Sequence, residues 1–190
     1  MRKVKVPPYK PSKEILENFL GDLGFEVCQL RTQRRLYFHT FALKSPDYSP
    51  PGSQAVGYSM LLHFRILLEF LYALPERDNI SAAHFRFIDE VDKPLLEEVR
   101  KAPGWVYELR GHLNRRLAHL SAVRCDTTSH KPSMDYYSSR FDELDELIVR
   151  FVRLLPVPMQ KIFDSAVHSW ESNYVNYFKT RPIPPGWELQ

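Results

Sequence analysis

An all-α fold is predicted for these 190 residues by three observations. Apolar side chains recur every three or four residues in segment after segment, the spacing of one helix face. Prolines and glycines gather between those segments, where they act as breakers. The 44% hydrophobic and 13% aromatic content is enough to close the core of one domain. Helical spacing recurs too often for a β architecture, so the expected fold is an up-and-down helical bundle of about five helices with extended proline-rich termini. The bundle is placed at 12–180, between an N-terminal arm at 1–11 and a tail at 181–190.

The arm holds three prolines and four cations, and its X-Pro bonds resist helix. Ser12 then offers an N-cap to a helix with Ile15, Leu16, Phe19 and Leu20 on one face. Gly21 and Gly24 are expected to interrupt it. From Phe25 to Leu43, "LYFHTFAL" suits a strand, but Phe25, Cys28, Thr32 and Leu36 fit a helix, which is preferred. "KSPDYSPPGSQ" is a loop. Ala55 to Leu74 carries the strongest helical pattern, with Met60, Phe64, Leu67, Leu71 and Leu74 joined by Leu61 and Leu68. Its apolar face is wide, which predicts the central helix of the bundle.

After Pro75 comes a connector with one short turn. Pro94 and Pro103 sit where a first helical turn tolerates proline, placing helices at Leu95 to Lys101 and Gly104 to Arg124. Asp135 to Leu155 carries Phe141, Leu144, Ile148, Phe151 and Leu155 on one stripe, ended by Pro156. Met159 to Lys179 is expected to bury Phe163, Ala166, Trp170, Tyr174 and Tyr177.

The net charge of +3 and pI near 8.8 permit attraction to nucleic acid without demanding it. Basic stretches at Arg2–Lys10, Arg31–Lys44 and Arg110–Lys131 are answered by acidic runs at Asp89–Glu98 and Asp142–Glu146, the pattern of solvated faces. Cys28 and Cys125 lie in no CxxC or metal-ligand spacing, so a disulfide framework or zinc knuckle is not expected. The charged start lacks the apolar stretch of a signal peptide, and "MLLHFRILLEFLYAL" is broken by His63, Arg65 and Glu69. These features predict a cytoplasmic, soluble protein without a membrane span.

Chemistry gathers in "ELRGHLNRRLAHLSAVR", residues 108–124. On that helix Val106, Leu109, Leu113, Leu117 and Leu120 form the core stripe. Glu108, His112, Arg115 and His119 form a second stripe beside it. His112 and His119 are about 10.5 Å apart along the axis, too far to share a metal ion. No metal or cofactor is expected. Arg115 and His119 are one turn apart and can reach one phosphate, the guanidinium as a planar fork and the imidazole as a proton carrier near neutral pH. The plain structural alternative pairs Arg115 and Arg116 with the acidic runs and leaves His119 capping a core edge.

At "NRRLAHL" the sequence resembles the HEPN superfamily of helical bundles found in defence and toxin systems, with the likeness spanning Gln54 to Lys179. The resemblance implies metal-independent RNA cleavage at a site completed across a homodimer, with the 2′-hydroxyl as nucleophile. His119 matches the family histidine and Asn114 the polar residue after the family arginine. The arginine itself is displaced: the family spacing places it at 112, 113 or 114, here His112, Leu113 and Asn114. Arg115 lies closer to His119 and Arg110 farther away. The expected site is therefore His119 and Arg115 as catalytic residues, with His112, Asn114, Arg116 and Arg110 contacting phosphate or RNA. Two other readings stand beside it. One is a non-catalytic nucleotide- or RNA-binding module using the basic Arg31–Lys44 segment. The other is an antitoxin or scaffold subunit docking through "VPPYKP" and "RPIPPGWELQ".

Overall fold

A computed structural model describes residues 9–37, 51–73, 79–118 and 134–180, and gives the backbone alone at 51–55, 112, 114–118, 134–136, 138 and 175–180. The described residues form α1 (Lys13–Leu36), α2 (Pro51–Tyr72), a 3₁₀ turn (Ala82–Phe87), α3 (Lys93–Val99), α4 (Gly104–Ala118), α5 (Met134–Arg153) and α6 (Val157–Thr180). No strand occurs among them, and the all-α class holds. No helix of theirs is long and apolar enough to cross a membrane.

Ser12 begins α1 as the sequence predicts, its Oγ accepting the Ile15 N–H at 3.2 Å. Gly21 and Gly24 do not interrupt the helix, which runs unbroken to Leu36. At Gly24 the reason is packing. A Cβ there would lie 2.8 Å from the Ala166 Cβ and 3.3 Å from the Phe163 carbonyl oxygen, so the missing side chain lets α1 and α6 approach closely. A glycine inside a helix costs about 1 kcal/mol relative to alanine, and the contact it permits offsets that cost. Nothing in the structure explains glycine at position 21, where a Cβ would meet open space.

The wide apolar face of α2 does place it at the centre, packed on α1, the 3₁₀ turn, α4 and α5. Met60, Leu61, Phe64, Leu67, Leu68 and Leu71 are buried, with Phe70 beside them; Leu74 lies outside the described residues. Its rings pair with those of α5, Phe64 on Phe141 and Phe70 on Phe151. These pairs show α2 and α5 running parallel. Contacts of Phe19 with Phe70 and Phe25 with His63 set α1 antiparallel to α2.

The α5 stripe is buried as its spacing predicts: Phe141, Leu144, Ile148, Phe151 and Leu155. The Gln160 side chain donates to the Leu155 carbonyl at 2.7 Å, fixing the sharp turn into α6. The core face of α6 differs from expectation. Met159, Phe163 and Val167 are buried, whereas Trp170 is 40% exposed, its ring lying against Phe25 at 4.8 Å. Ala166 and Tyr174 are half-buried, and Tyr177 lies outside the described side chains.

The connector after Pro75 contains the 3₁₀ turn, which buries Phe85 against Phe70 and Phe151. Asp92 caps α3 by accepting the Leu95 N–H at 3.0 Å, with Pro94 in the first turn. The last residues of the arm are not free: Pro11 is buried and Tyr9 meets the His84 ring edge-on.

Candidate functional site

The backbone of α4 keeps the expected register. Val106, Leu109 and Leu113 are buried in the core, so the helix is oriented by three consecutive members of its apolar stripe. Glu108 is exposed and Arg110 half-buried. Positions 112 and 115 follow 108 on the same side of an unbroken helix. The side chains of His112, Asn114, Arg115 and Arg116, and all of His119, lie outside the described residues, as does Cys125.

Two cations of the basic stretch that begins at Arg31 are paired with carboxylates of α5 and α6. Arg31 makes a two-pronged contact with Asp145 at 2.9 and 3.0 Å, and its guanidinium lies 3.8 Å from Glu171. Arg34 makes a similar fork with Asp142. The hydrogen bond from Arg34, more than its charge, holds the Asp142 carboxyl below its ordinary range. Here the acidic run on α5 answers Arg31 and Arg34 of the basic run on α1 directly.

An open cleft of about 280 Å³ lies where α1, α5 and α6 meet. Val152 and Phe163 form its floor; Arg31, Arg153, Asp164, His168 and Glu171 stand around it. Arg153, Asp164 and His168 are exposed and make no ion pair with the described residues. An imidazole and a guanidinium therefore share solvent-reachable space at a place other than the α4 stripe. Such a pair can hold an anion and move a proton. The signal was present in the sequence as "DSAVHSWE", in which Asp164, His168 and Glu171 follow at four and three residues. Spacing along one helix does not reveal the cleft, because Arg31 and Arg153 come from other helices.

A second histidine, His63 on α2, is half-buried with Nδ1 2.6 Å from the Glu26 carboxylate on α1. Among the described residues no three His, Cys, Asp or Glu side chains are placed to hold a metal ion. Cys28 is fully buried with Sγ 3.9 Å from the Thr32 hydroxyl, and burial pushes its thiol above the ordinary range.

Compared with known proteins, the chain matches no family model, no curated sequence and no solved structure.

Proposed function

We propose that the chain is an HEPN-like, RNA-directed helical protein, a toxin or defence component that cleaves RNA without a metal ion and works as a homodimer. His119 transfers the proton and Arg115 holds the scissile phosphate, with His112, Asn114, Arg116 and Arg110 along the strand's path. The 2′-hydroxyl attacks phosphorus, the 5′-oxygen leaves with a proton, and a cyclic phosphate remains. One observation supports this most: α4 buries Val106, Leu109 and Leu113 and leaves Glu108 outward, on the side where positions 112 and 115 follow. In the test, RNA is incubated with purified protein in EDTA. Cleavage is expected to persist, and to fall about 10² to 10⁴-fold in His119→Ala, the typical contribution of a general acid or base. Undiminished cleavage in that variant rejects the assignment.

A binding-only reading draws support from another place. Phe87 has the Lys10 ammonium 5.7 Å and the Arg86 guanidinium 5.1 Å from its ring centre. Arg86 and Phe87 share a shallow depression of about 390 Å³ with Lys93 and Glu97. Glu97 is itself bonded to Arg100. A ring among cations suits a single strand, whose bases stack and whose phosphates seek charge. RNA affinity that falls steeply with salt and drops in Arg86→Ala, without cleavage, is the expected outcome for this reading.

A further inference from the structure

His84 is fully buried in the 3₁₀ turn, yet it is a titratable side chain. It stands three residues after Ser81 and reaches back, its Nδ1 accepting the Ser81 N–H at 3.0 Å, as Glu or Gln does in a capping box. The Ser81 hydroxyl lies 3.3 Å from the same nitrogen. Only a neutral imidazole can accept there; with a proton on Nδ1, two donors face each other. Nε2 is buried and makes no hydrogen bond to the described residues. The charges acting on the ring are cations, Arg100 at the C-cap of α3 and Arg86 from the turn itself. From α2 and α5 the turn meets the uncharged rings of Phe70 and Phe151. From the arm, Tyr9 lies edge-on against the imidazole, with Lys10 over Phe87 and Pro11 buried.

We infer that His84 is an acid-sensitive latch: its neutral ring locks the 3₁₀ turn and the arm residues Tyr9–Pro11 onto the bundle, and its protonation releases both. Burial, reinforced by the two guanidiniums, keeps the imidazole below the ordinary histidine range. An opened turn, whose histidine titrates near 6.5, binds the proton more readily than the closed one. The closed state is therefore fully favoured above that pH and loses ground as pH falls below it. Release would uncover Phe85 and the aromatic centre behind it.

Hydrogen exchange of the full chain at pH 7.5 and 5.5, corrected for intrinsic rates, tests the latch. Amides of residues 81–88 are expected to open more often at pH 5.5, by up to about tenfold, the ceiling set by a free histidine titrating one unit above that pH. The His84→Gln variant keeps an acceptor for the Ser81 N–H and cannot take the proton, so its opening should not change between the two conditions. Should that variant fail to fold at pH 7.5, an NMR titration of the wild-type chain decides instead. His84 is then expected to protonate only as amides 81–88 lose protection. Unchanged exchange in the wild type, equal acid opening in the Gln variant, or protonation of His84 with those amides still protected would each overturn the inference.

Discussion

Between Leu16 and Val27, α1 meets its neighbours mainly through apolar side chains and the bare backbone at Gly24, with Glu26 on His63 as a polar contact, whereas between Gln29 and Arg34 polar side chains make most of the contacts beside the buried Leu30. The first stretch buries Leu16, Leu20, Leu23 and Val27 and lets α6 approach at Gly24. In the second, Gln29 donates to the Tyr174 hydroxyl, Arg31 to Asp145 and Arg34 to Asp142. The apolar contacts are close-packed and dry, so they tolerate little change. Arg31 and Asp145 keep 30% and 35% of their side-chain surface in water, which screens their attraction. Shape therefore sets how firmly α1 is held at one end, and charge mainly fixes its register at the other.

The comparison breaks most severely at Leu20, which is fully buried. Leu20→Ala should cost about 2–5 kcal/mol in urea denaturation, from lost burial and the cavity left behind. Next comes a matched pair of glycines. Gly24→Ala should destabilise by about 1–3 kcal/mol, because the new methyl strikes Ala166 and the backbone of α6, less the gain in helix propensity. Gly21→Ala, which meets open space, should instead stabilise by about 0.5–1 kcal/mol. Equal effects at the two positions would remove the packing explanation for Gly24. Smallest is the charged end. A double-mutant cycle on Arg31 and Asp145 should give a coupling of about 0.2–1 kcal/mol that shrinks with added salt. A coupling as large as the loss at Leu20 would erase the distinction between the two ends.

Much of this was legible in the sequence. The stripes of α2 and α5 repeat without ambiguity, but α2 begins at Pro51, inside a proline-rich stretch expected to be a loop, and the two helices expected before Leu36 are one. Gly21 and Gly24 misled because a local rule about breakers cannot see that another helix will lean on one of them. Trp170 misled because α6 carries apolar residues on two faces, and the core took the one with Met159, Phe163 and Val167. His84 hid in a connector, although Ser81 three residues before it was the clue. For the candidate site, the Glu108 stripe could be read from spacing along one helix. The cleft of Arg31, Arg153 and His168 could not, since its members meet only after three helices have packed.

Cys28 sits at the change between the two ends of α1, sealed on its inner side. Its thiol is guarded twice, by lack of access and by holding its proton more firmly than a free thiol does. In a Cys125→Ser chain, an alkylating reagent can react with it only in the moments when α1 lifts away, so the rate of labelling becomes a clock for how often the bundle breathes.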